Sequence, residues 1–141
     1  MSFIRSHAAL IRELNAQLVA EHGLTINDYE VLLHLSLAEN RSLRRVDLSQ
    51  QVLLTASGIT RLLDGLERAG WVEKGNCKSD ARVTYAVLTD VGYEKLREAG
   101  DFHVDGVRRA FAAHYTEDEL ATLGELLGRL ADGDASACQA D

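Results

Sequence analysis

Apolar positions along this chain keep a helical spacing almost throughout and change to alternation once, between Trp71 and Leu88. Just before the change, Ile59, Leu62, Leu63 and Leu66 fall at i, i+3, i+4 and i+7, one stripe of an α-helix. At about 100° per residue, Ser57, Arg61, Asp64 and Arg68 point away from that stripe, with Thr60 on its shoulder. Thr55 is suited to cap this helix and Gly70 to end it. Trp71–Lys74 and Val83–Leu88 then read as short strands on either side of a turn-rich tip.

Upstream, Ile4, Ala8, Ile11, Leu14 and Leu18 predict a helix over about Phe3–Glu21, stopped by His22-Gly23. Thr25 caps a second helix, with Asp28 completing a capping box, and Tyr29, Leu32, Leu33 and Leu37 are expected inward. Arg41-Ser42-Leu43 is an extended link able to edge the hairpin as a third strand. A brief helix from Val46 or Asp47 to Leu53 turns Leu48 and Val52 inward. Downstream, Thr89 caps a long helix running to about His114, and Thr116 with Glu119 forms a capping box for a last one. There Leu120, Leu123, Leu127 and Leu130 make a stripe too apolar to leave wet.

Helix, hairpin with a basic tip, then Leu88-Thr89-Asp90-Val91-Gly92 opening another helix is the order of a winged helix-turn-helix. The chain resembles the MarR family of transcriptional regulators in Leu24-Thr25 with Val31-Leu32, in Asp47-Leu48-Ser49, and in Ser57 through Glu67. The likeness continues through Ala69-Gly70-Trp71-Val72, Asp80-Ala81-Arg82 and Leu88-Thr89-Asp90-Val91-Gly92, and ends near Ala131. It implies a two-fold homodimer whose first and last helices interleave with those of a second copy. It also implies an effector cleft between those helices and the winged module, which His7, Tyr29 and His34 are placed to border. Amphipathicity alone leaves open whether the terminal helices pack on their own protomer. A two-fold dimer does present two recognition helices to half-sites about one DNA turn apart.

The length of 141 residues suits one domain, and 46% apolar with 26% charged residues is ordinary for a soluble protein. No run is long and apolar enough for a membrane span, and the N-terminus lacks a signal-peptide core, so a cytoplasmic protein without membrane contact is expected. The net charge of −7 looks adverse for a nucleic-acid binder until it is divided. Arg41 to Arg82 holds eight basic against five acidic residues, a net +3, and the remainder is −10. Phosphate contact depends on the local sign. Charge alone does not separate this from an ordinary solvated face.

No catalytic constellation is present, so no enzyme, cofactor or metal is expected: the five histidines are scattered and two cysteines give no ligand spacing. For DNA, Thr55, Ser57, Gly58, Thr60 and Arg61 are assigned to the major groove, with Arg61 able to pair with guanine O6 and N7. Asp64 and Arg68, four residues apart, are read as a pair that neutralises itself. On the wing, Arg82 is assigned to an A·T-rich minor groove, with Asp80 bracing its guanidinium and Lys78 on phosphate. Ala81 stands where the family often has a second basic residue, which predicts a weaker wing contact. Cys77 is read as inert; the reactive cysteine of peroxide-sensing family members lies in the first helix, where this chain has none.

The expected molecule is mainly α with a small β-hairpin wing: one winged helix-turn-helix domain over 1–133 and a disordered tail over 134–141. Its DNA-binding module spans about 25–99. Dimerisation helices occupy about 2–22 and 100–132 and use Ile4, Ile11, Val107, Phe111, Leu120, Leu123, Leu127 and Leu130. The expected function is transcriptional repression by a homodimer that binds a pseudo-palindromic operator in double-stranded DNA and is released by a small-molecule effector. The competing reading is a winged-helix protein–protein module without DNA binding.

Overall fold

A computed structural model describes residues 2–52, 54–76 and 83–132. They form six α-helices and three short strands: α1 (Ser2–His22), α2 (Ile26–Leu37), β1 (Ser42–Arg44), α3 (Arg45–Gln51), α4 (Ala56–Arg68), β2 (Val72–Asn76), β3 (Thr84–Leu88), α5 (Asp90–Ala112) and α6 (Glu117–Asp132). The chain divides into two compact units, Met1–Val104 and Asp105–Asp141, with α5 running across the boundary.

In the first unit, α1 ends where Gly23 takes φ of 66°, a left-handed conformation that favours glycine. Thr25 then caps α2 reciprocally: its Oγ1 accepts from the Asp28 N–H at 3.1 Å, and Asp28 accepts from the Thr25 N–H at 2.9 Å. Asn15 accepts from the Ile26 N–H at 3.0 Å, which ties the start of α2 to α1.

The buried face of α2 is Ile26, Val31, Leu32 and Leu35, while Leu37 is 78% exposed. The expected inward placement of Leu37 is therefore corrected. The helix meets α1, α3, α4 and the sheet, so it is enclosed on several sides and apolar spacing alone does not fix its phase. A turn over Glu39–Arg41 follows, in which Asn40 and Arg41 both have φ of 53°.

The sheet has the order β1-β3-β2, and both pairings are antiparallel. Ser42 stands opposite Val87, and Val72 opposite Leu88. The anticipated third strand is thus present, and β3 is the central one. Ala86 and Leu88 of β3 and Val72 of β2 face inward, toward a core made by Leu18, Leu24, Val31, Leu32, Leu35, Leu48 and Leu66.

In the second unit, α6 begins with the predicted capping box: Glu119 accepts from the Thr116 N–H at 2.9 Å and Thr116 Oγ1 accepts from the Glu119 N–H at 3.3 Å. The Phe111 and Tyr115 rings lie 6.3 Å apart.

Candidate nucleic-acid interface

Thr55 begins the site. Its Oγ1 accepts the Gly58 N–H at 3.1 Å, which satisfies one free donor of α4, and stands 3.2 Å from Ser57 Oγ. A β-carbon on Gly58 would come 3.2 Å from that oxygen and 3.7 Å from Leu54 Cβ, so Gly58 keeps the corner between α3 and α4 tight. Ile59, Leu63 and Leu66 are buried and fix the roll of α4. Ser57 and Arg61 are left exposed on the opposite face. Arg61, Asp64, Glu67 and Arg68 line a shallow trough there.

Charges on this face are only partly compensated. Lys74, from β2, lies 2.9 Å from Glu67 and 3.7 Å from Asp64. The hydrogen bond and charge of Glu67 raise the Lys74 pKa above its ordinary value. The expected Asp64–Arg68 pair is corrected: Arg68 Nε donates instead to the main-chain carbonyl of Asp64 at 3.2 Å, and the carboxylate faces Lys74. Among the described residues, Arg61 has no ionic partner.

Thr60 is engaged within the protein. It donates to the Ala56 carbonyl at 2.8 Å and accepts a hydrogen bond from Arg45 Nη2. Neighbouring Arg44 is held by both oxygens of Asp47, at 2.7 and 3.0 Å. These groups border a groove of about 410 Å³ that also meets Val83 and Thr84 at the start of β3.

This arrangement has close counterparts. A MarR family model matches residues 22–83. Sco3205, a MarR family transcriptional regulator from Streptomyces coelicolor solved in complex with DNA, superposes with a TM-score of 0.84 at 35% identity, covering 94% of this chain and 82% of that one. The chain belongs to the MarR family. AbsC, a second MarR family regulator from that organism, gives a TM-score of 0.78 at 33% identity, over 96% of this chain and 93% of its own. The transcriptional repressor MprA of Escherichia coli is 33% identical over 89 residues, 63% of this chain and 50% of MprA. The chain thus matches about half the length of that curated relative.

Within this MarR-family frame the expected site residues fare unevenly. Thr55, Ser57, Gly58, Thr60 and Arg61 all lie on or beside the first turns of α4. The wing residues Lys78, Asp80 and Arg82, like Cys77, lie outside the described residues. Among the residues assigned to dimerisation, Ile4 is 69% and Leu127 36% exposed, Ile11 is also exposed, and Val107, Phe111, Leu120 and Leu123 are half-buried. The side chain of Leu130 lies outside the described part.

Near the expected effector cleft, the Tyr29 ring lies 4.9 Å from that of His103. Burial, then the charge of Asp101, raises the Tyr29 pKa. Burial lowers that of His103, against the opposing charge of Glu30. His34 is half-buried and His7 exposed, and neither joins the Tyr29–His103 contact.

Sequence reasoning missed Arg45, Lys74 and His103. Each acts through a residue at least seven positions away, so no local spacing signals it.

Proposed function

We propose that this protein is a homodimeric transcriptional repressor that binds a pseudo-palindromic operator in double-stranded DNA in the cytoplasm and is released by a small-molecule effector. The observation that carries the reading is the outer face of α4: a capped N-terminus, exposed Ser57 and an Arg61 without an ionic partner among the described residues. A helix N-terminus offers free N–H groups to phosphate, and a guanidinium suits guanine in the major groove. Ser57 and Arg61 are assigned to base edges, and Thr55 and Gly58 to the approach of the helix N-terminus to the backbone. Lys78, Asp80 and Arg82 are assigned to the wing contact.

Sco3205 and a mutant of MarR from Escherichia coli, the latter 26% identical to this chain, have been solved with DNA, which supports the same partner here. Dimerisation is supported by apolar surface in both terminal regions, from Phe3 and Ile4 in α1 to Leu126 and Leu127 in α6. An effector is assigned to the neighbourhood of Tyr29, with His7 and His34 on its border. Among the described residues, no helix is long and apolar enough to cross a membrane.

Selection of bound fragments from genomic DNA, followed by titration of the selected duplex at several salt concentrations, tests the reading. Counterion release demands a steep fall in affinity with salt. Absence of bound fragments at low salt would favour a protein–protein module instead.

A further inference from the structure

We propose that Arg45 holds a DNA backbone phosphate in the groove between α3, α4 and the start of β3, and that Thr60 positions its guanidinium for that contact. The inference rests on the reading of the protein as a DNA binder and assigns Thr60 a task other than base reading.

The Thr60 hydroxyl gives its single proton to the Ala56 carbonyl at 2.8 Å. It can therefore serve its other neighbour only as an acceptor, and Arg45 supplies the donor. This bond spans the helix-turn-helix and pins the guanidinium of half-buried Arg45 against α4. Its partner is neutral. Arg44 and Lys74 differ in this respect: Arg44 is matched by Asp47, and Lys74 by Glu67 and Asp64. Among the described residues Arg45 has no carboxylate within ion-pair distance.

A guanidinium has five N–H donors, and Thr60 takes one of those of Arg45. The remaining demand is for an anion with several acceptor oxygens. The groove of about 410 Å³ bordered by Arg45, Thr60, Ser49 and Thr84 has hydroxyls along its walls, and its one carboxylate among the described residues, Asp47, is held by Arg44. A phosphodiester fits this chemistry, because phosphate takes the guanidinium fork with two parallel hydrogen bonds. A base edge fits it less well. A guanidinium tied back to the helix is not free to project into the major groove, the role assigned to Arg61.

The test is titration of the wild-type protein and four variants against the selected operator and a scrambled duplex at several salt concentrations. Arg45→Gln keeps an N–H donor for Thr60 but removes the charge. It should weaken binding to both duplexes by the same factor, about tenfold, and reduce the salt slope by about 0.9 per protomer. Thr60→Val should lose affinity without changing sequence preference, and Thr60→Ser should restore wild-type binding. Arg45→Gln/Thr60→Val should bind no more weakly than Arg45→Gln, since two residues that make one contact are not additive. Melting curves matching wild type identify the variants that remain folded, and Thr60→Ser supplies the comparison if Thr60→Val melts early. A changed base preference in Thr60→Val, multiplied losses in the double variant, or an unchanged salt slope in Arg45→Gln overturns the inference. If wild type itself shows no salt-dependent binding, the functional reading falls and takes this inference with it.

Discussion

The carbonyl oxygen of Trp71 occupies the space a side chain on Gly92 would need: a β-carbon there would lie 2.0 Å from it. The same oxygen accepts the Thr89 N–H at 3.1 Å, and Thr89 Oγ1 donates to the Gly70 carbonyl at 2.7 Å while accepting from the Gly92 N–H at 3.0 Å. The first turn of α5 is thereby sewn to the backbone between α4 and β2. Gly92→Ala should destabilise the protein by about 3 kcal/mol, the upper end for overpacking, because the obstacle is backbone. Chemical denaturation checks this; a loss below about 0.5 kcal/mol would show that α5 can shift freely.

Arg61→Ala should weaken operator binding by roughly 1–3 kcal/mol and relax preference at one position in each half-site. Arg68→Ala should leave that preference alone, because its Nε is committed to the Asp64 carbonyl. Titration against operators varied one base at a time separates the two. Equal behaviour of both variants would remove Arg61 from the base-reading set.

Leu127→Glu should convert the proposed dimer into monomer or unfolded chain. Leu127 belongs to the apolar stripe of α6 and is 36% exposed in the isolated protomer, where Leu126 beside it is 49% exposed. A mostly apolar two-fold contact cannot accept a buried unpaired carboxylate cheaply. Sedimentation of the wild type and variant decides; a stable wild-type monomer at micromolar concentration would contradict it.

His103 gives the fold a pH dependence of known sign. Its Nδ1 is buried without a hydrogen-bond partner among the described residues, and burial holds its pKa below the ordinary 6.5, although Glu30 pulls the other way. The unfolded chain then binds the proton more readily. Stability from this group is complete above pH 6.5 and declines as pH falls from there through the lower folded value. His103→Phe keeps an aromatic ring beside Tyr29 and should flatten the fall in melting temperature between pH 7 and about 5. Identical pH profiles for wild type and variant would show that His103 does not control it.

Much of this molecule is legible in its residues because the relevant forces are local. The Thr25–Asp28 and Thr116–Glu119 boxes, the Ile59/Leu63/Leu66 stripe and the switch to alternation at Trp71 each sit within a few positions, and all have their expected structures. Three features escape for one reason. The phase of α2 depends on which neighbours enclose it, which is why Val31 and Leu35 are buried and Leu37 is not. Asp64 turns to Lys74, ten residues on, because β2 returns alongside α4. Thr60 meets Arg45 across the helix corner. Spacing along one helix carries no record of what folds back onto it.

The position of β3 also governs how force would pass through the protein. It is hydrogen-bonded along both edges, to β2 on one side and β1 on the other. β1 ends at Arg44 and α3 starts at Arg45, with no intervening loop. A pull along the hairpin moves β2 and β3 together, so it loads the β1–β3 ladder in shear, where several bonds share the strain, and reaches α3 through a single peptide link. The sheet is a yoke: tension applied at the wing is delivered to the helix corner.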